Sequence, residues 1–142
     1  MKTLQVSDGD LVLANGAFAT ITGPQKVNQD IEIGVLTPYG SDRFHPRYGS
    51  VFSNYIGIPV GPGTAALIKA ELTRVINNYQ RVQLYKIQQA NLQGLASPFS
   101  QGEVVTSIGK IDVAETYDSF NVAASVNTSS GNSVNVSTTV TG

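Results

Sequence analysis

SFNVAASVNTSSGNSVNVSTTV, residues 119–140, carries two runs of alternating side chains. Phe120, Val122, Ala124 and Val126 alternate with small or polar residues, and so do Val134 and Val136. A period of two marks a strand with one buried face. Ser130-Gly131-Asn132 lies between the runs and reads as a turn. EVVTSIGKIDVAE (103–115) adds a strand ahead of them, so residues 103–141 are expected to form a three-stranded antiparallel meander. Asp118 is the last charged residue. A neutral, β-prone stretch of this kind is poorly protected against pairing with foreign strands. Two readings stand open: a hairpin covered by its own domain, or a strand that pairs with a neighbouring subunit.

Working outward, Leu67, Ile68, Leu72, Val75, Ile76 and Tyr79 recur at i, i+3, i+4 spacing. That is one face of an amphipathic helix. Thr64 is its expected cap and Gly94 its expected stop. A helix over 64–94 results, with a break near 79–81 left open. Further upstream, Val27, Ile31 and Val35 make an apolar stripe on a helix over 24–37, opened by Pro24 and ended by Pro38, with Gly34 as a weak point. Residues 38–63 are rich in Gly and Pro but hold Tyr39, Phe44, Tyr48, Phe52 and Tyr55. An ordered loop with aromatic anchors, and a short helix near 51–56, fits that composition. Asn15-Gly16 between two apolar runs predicts a hairpin over 10–22. No internal repeat of solenoid period is present. Helices between an early hairpin and late strands define an α+β class, read as a single domain over 1–142.

Composition removes several functions. Nine Lys+Arg against ten Asp+Glu give a net charge of −1, which argues against a broad electrostatic grip on nucleic acid or an anionic membrane. There is no cysteine and one histidine, so thiolate chemistry and a multi-histidine metal site are excluded. No signal peptide is expected from MKTLQVSDGD, and no apolar run is long enough to span a bilayer.

The remaining chemistry is thin. His45 has no G-x-S-x-G partner motif. Gly61-Pro62-Gly63-Thr64 precedes a helix but lacks the lysine of a phosphate loop, and no cofactor motif is found. Paired carboxylates could be drawn from Asp30, Glu32, Asp42, Glu71, Glu103, Asp112 and Glu115, although Asp30 and Glu32 do not share a helix face. Arg43 and Arg47 are expected to pin the glycine-rich loop through backbone carbonyls, with Tyr48 as a further anchor.

Gln29-Asp30-Ile31, Leu36-Thr37, Gly40-Ser41-Asp42-Arg43 and Pro46-Arg47-Tyr48-Gly49-Ser50 stand in this order along the chain. The ordered set resembles the small baseplate wedge proteins of contractile-tailed bacteriophages, a family that also supplies a type VI secretion baseplate component. The likeness runs from about Asp10 to Val140. Where the family has Glu-Pro-Arg on its long helix, this chain has Tyr79-Gln80-Arg81, and only the arginine matches. The resemblance implies a non-enzymatic structural subunit, made in the host bacterial cytoplasm and placed in the virion baseplate, sixfold around the tail. Its implied partners are other wedge proteins, docked through Tyr79, Gln80 and Arg81, the tail tube, and the sheath subunit. The sheath contact is implied to be strand pairing through Val134, Val136, Thr138 and Val140. Some family members carry a lysozyme label, which keeps a peptidoglycan-cleaving glycosidase as the alternative, with Glu71 and Glu103 as its acids.

Overall fold

The computed structural model describes residues 1–59, 61–116 and 118–141. Val60, within the expected loop, and Tyr117, within the expected strand region, lie outside the described residues. The chain is α+β: short N-terminal strands, two helices, and a C-terminal three-stranded antiparallel sheet.

Residues Thr3–Ile21 form six two-residue strands, β1 (Thr3–Leu4), β2 (Val6–Ser7), β3 (Asp10–Leu11), β4 (Leu13–Ala14), β5 (Ala17–Phe18) and β6 (Thr20–Ile21). They pair as β2–β3, β4–β5 and β1–β6. The expected hairpin over 10–22 is therefore narrower, Leu13 to Phe18, and is one arm of three. Asn15 and Gly16 do take positive φ at its tip, as the turn requires. At the centre three backbone bonds close a ring: Gln5 N to Ala19 O, Val12 N to Gln5 O, and Ala19 N to Val12 O. These residues are seven apart, as are Gly9, Gly16 and Gly23, all at positive φ. A seven-residue repeat lies below the period of solenoid units.

Helix α1 (Gly23–Leu36) buries Val27, Ile31 and Val35, the expected stripe. Gly34 lies within α1 at its contact with the second helix. A Cβ there would meet Val75 Cγ1 at 3.3 Å, so the glycine lets the second helix approach. Thr37 closes α1 by donating its N–H and its hydroxyl to Ile33 O at 2.9 and 2.6 Å. A single 3-10 turn spans Phe52–Tyr55. Helix α2 (Pro62–Leu92) is continuous through 79–81, because nothing between Tyr79 and Arg81 removes a backbone donor. Gly61, not Thr64, is its N-cap, with Pro62 in the first turn. Its end is closed by Gly94 at φ +70, with Gly94 N donating to Asn91 O and Leu95 N to Ala90 O.

Strands β7 (Val105–Glu115), β8 (Ser119–Thr128) and β9 (Ser133–Thr141) make the sheet in that order. Its inner face carries Phe120, Val122, Ala124, Val126, Val134, Val136 and Val140 against α1 and α2. Phe52 closes one end, its ring 5.6 Å from that of Phe120. No helix among the described residues is long and apolar enough to cross a membrane.

Candidate functional site: an open sheet edge and two clefts beside the second helix

The sheet has two outer strands of opposite character. Along β7 the register shifts between Val105 and Ser107 and again between Ile108 and Ile111. Gly109 lies in the second shift, where a Cβ would come within 2.9 Å of Ser125 Oγ. Lys110, Asp112 and Glu115 add charges to this strand. A bulge and charges are the usual guards of a sheet edge. On β9 the register runs unbroken from Ser133↔Asn127 to Thr141↔Ser119, and no residue is charged.

Alternation of the ladder shows which groups of β9 are free. Thr116 N donates to Ser119 O and Thr128 N to Asn132 O, both at 2.9 Å. Counting by twos, Val134, Val136, Thr138 and Val140 exchange backbone bonds with β8. Their side chains are buried in the chain's own core. The N–H and C=O groups that face outward belong to Asn135, Ser137 and Thr139, whose side chains are exposed. Thus the four residues expected to meet a partner are bonded to β8, and the free backbone groups are those of their neighbours.

The loop after α1 is pinned from α2. Arg74 Nη2 donates to Gly49 O at 2.7 Å, and its guanidinium lies 4.9 Å from the Tyr39 ring centre. Glu71 holds Arg74 through Nε at 2.8 Å and Nη2 at 2.7 Å, and accepts Val51 N at 2.9 Å. The Arg74 hydrogen bonds hold the Glu71 carboxyl below its ordinary value against the opposing effect of burial, with Val51 N–H adding to them. Arg43 and Arg47 are exposed and donate to no carbonyl among the described residues, so the loop-pinning guanidinium is that of Arg74. Tyr48 is half-buried beside Gly34, and burial raises its phenol.

Tyr79, Gln80 and Arg81 do not share a surface, because successive helix residues step about 100° around the axis. Tyr79 turns to α1 and donates to Asp30 Oδ2 at 3.0 Å, beside the Lys26 ammonium on the same oxygen. Burial, then the Asp30 charge, raises its phenol far above the ordinary range. Gln80 Nε2 donates to Thr106 O on β7 at 3.1 Å. Arg81 alone is exposed, lining a cleft of about 400 Å³ with Arg47 and Arg74. A larger groove of about 590 Å³ lies on the α1 side, where Asp30, Asp42, His45, Tyr48 and Tyr79 meet.

The acids are mostly occupied. Glu103 is fully buried and accepts Gly23 N at 2.9 Å, Ser100 N at 2.8 Å and the Met1 amino group at 2.9 Å. Burial opposes its ionisation, but these donors outweigh it and hold the carboxyl at about 2. Asp42 accepts His45 Nδ1 and Phe44 N, both at 2.8 Å, and the His45 bond leads in lowering its carboxyl. Asp112 pairs with Lys110 at 3.0 Å. Neither Glu71 nor Glu103 lines the larger groove. Among the described residues no three His, Asp or Glu converge as a metal site.

Three buried polar residues hold structural roles that sequence alone does not show. Gln29 accepts Val6 N at 2.8 Å and donates to Leu4 O at 2.9 Å, which ties the three-armed unit to α1. Gln83 donates to Glu103 O at 2.6 Å and accepts Val105 N at 3.0 Å. Glu103 is the third. Only Gln83 carries a local sign of its role, since it lies on the helix face of Ile68, Leu72 and Ile76.

No protein-family model and no curated protein matches this chain. Among solved structures, a protein of Geobacter sulfurreducens described as a candidate tail lysozyme is similar, with a TM-score of 0.57. The likeness covers 93% of this chain and 96% of that one at 12% identity, and is one of fold.

Proposed function

We propose that the chain is a structural subunit of a contractile-tail baseplate, which joins wedge proteins near the tail tube and starts the sheath by strand pairing. The observation that carries this reading is the β9 edge: long, in unbroken register, neutral, and unguarded beside a bulged and charged β7. Nothing in the catalysis of a small molecule needs such an edge, whereas β-augmentation does. The fold likeness to a protein named a tail lysozyme supports a tail setting. The resemblance along Gln29–Ser50 supplies the baseplate assignment.

Ser137→Pro tests it. The Ser137 N–H faces outward, so proline there removes a donor for the partner and none for β8. The isolated variant should keep its stability within about 1 kcal/mol. Particles assembled with it should lose sheathed tails at least tenfold. Normal yields of sheathed tails would overturn strand pairing.

A second reading is favoured by one feature of the structure, that Asp30 and Asp42 line the same groove, together with the neighbour's name, a tail lysozyme. A glycosidase needs one of two such acids protonated at working pH. Here Asp42 is lowered and Asp30 is engaged by Lys26 and Tyr79. Purified protein is therefore expected not to clear peptidoglycan. Clearing that is lost in both Asp30→Asn and Asp42→Asn would establish the enzyme instead.

A further inference from the structure

The cleft of about 400 Å³ beside α2 holds three of the chain's four arginines, Arg47, Arg74 and Arg81. None of its lining residues is acidic. Arg74 is neutralised by Glu71. Arg47, from the loop, and Arg81, from the helix, donate to nothing among the described residues, and both are exposed. Two unpaired guanidiniums therefore flank a pit whose other lining includes the Tyr39 ring and the Asn77 and Asn78 carboxamides. A guanidinium presents a planar fork that matches a carboxylate with two parallel hydrogen bonds. The carboxamides can satisfy a peptide backbone, and Tyr39, whose ring carries the Arg74 guanidinium, adds an aromatic side chain to the lining.

From this geometry we infer that the Arg47–Arg81 cleft docks an acidic segment of a partner protein. Charge complementarity selects an anion. The bounded size of the cleft selects a short acidic run over a nucleic acid, because the chain as a whole carries a net charge of −1 and has no basic stripe for a phosphate backbone to follow. The inference rests on the reading of the chain as an assembly subunit. It deepens that reading by giving Arg81 a second arginine, and its partner a chemistry.

The test is fluorescence anisotropy of the isolated protein with fluorescein-labelled octaglutamate at low salt. Saturable binding is expected. Arg47→Gln and Arg81→Gln should each weaken it about tenfold or more. Arg43→Gln, an exposed arginine of the same loop that does not line the cleft, should leave it unchanged. Circular dichroism checks that each variant is folded, and Arg81→Lys keeps the charge while removing the fork, giving an intermediate loss. No binding, or an equal loss with Arg43→Gln, overturns the site. Tighter binding of an eight-nucleotide oligothymidylate overturns the partner class. Any of these failures leaves the baseplate reading standing, since the Ser137→Pro test reads sheathed tails and does not involve these arginines.

Discussion

Glu103→Ala is expected to destabilise the fold by about 3 kcal/mol at neutral pH, among the largest losses available from one side chain. The carboxylate is fully buried and joins its own turn, through Ser100 N, to two distant parts of the chain, the start of α1 through Gly23 N and the Met1 amino group. Removing it leaves those donors without an acceptor, at about 1–3 kcal/mol for each that stays buried. Acid titration gives a matching scale. The carboxyl sits at about 2 in the fold against 4.5 in its ordinary setting. A folded value below the unfolded one adds stability above the unfolded value, and that stability is lost as pH falls from about 4.5 toward 2. At about 1.4 kcal/mol per unit the contribution is about 3 kcal/mol. Glu71, also lowered, adds to the acid loss of the wild type, so the wild-type-minus-Glu103→Ala difference isolates Glu103. Urea unfolding at pH 7 and pH 3 measures it. A difference below about 0.5 kcal/mol at pH 7 would refute the role.

This network also shows why part of the site was illegible in the sequence. Side-chain periodicity reports which face is buried, and it located α1 through Val27, Ile31 and Val35, and β8 through Phe120 to Val126. It says nothing of partners 80 or 102 residues away, which is where Glu103 finds Gly23 and Met1. The loop arginines failed for a related reason. Arg43 and Arg47 stand beside the glycines they were expected to hold, yet the bond to Gly49 comes from Arg74, 25 positions on, because α2 packs behind the loop. Tyr79-Gln80-Arg81 is contiguous in sequence and splits three ways in space for a purely helical reason. The tail was half legible. Its strands follow from alternation, but which edge is open depends on the guards along β7, and on a register that decides which backbone groups are spent on β8. The backbone groups that face away from β8 belong to Asn135, Ser137 and Thr139, one residue off the expected Val134, Val136, Thr138 and Val140. A one-residue step in a strand exchanges both side-chain face and bonding direction.

Gly49→Ala is expected to cost about 3 kcal/mol and to dislodge the whole loop that carries Arg47. Gly49 has φ +94, and a Cβ on it would lie 2.6 Å from Thr37 O and 2.7 Å from Pro38 O. Both are backbone atoms that cannot swing aside. Thr37 O accepts Ser50 N at 2.8 Å, and Tyr39 N donates to Ser50 O at 2.9 Å, so the two chain segments lie edge to edge. Relief of the overlap must part them, and Gly49 O then leaves Arg74 Nη2. Backbone strain of about 1–3 kcal/mol and a lost charge-assisted bond of about 1.5–3 kcal/mol set the scale. Gly131→Ala separates the overlap from the cost of positive φ alone, because Gly131 has φ +82 and nothing within 4 Å of its added Cβ. That control should lose only about 1 kcal/mol. Denaturant unfolding of the two variants, with amide exchange at Tyr39 and Ser50, checks both halves. Faster exchange at those two amides is expected in Gly49→Ala only, together with weaker octaglutamate binding, since Arg47 is displaced from Arg81. Equal losses in the two variants would mean that backbone conformation, not the close approach to Thr37 and Pro38, holds glycine at position 49.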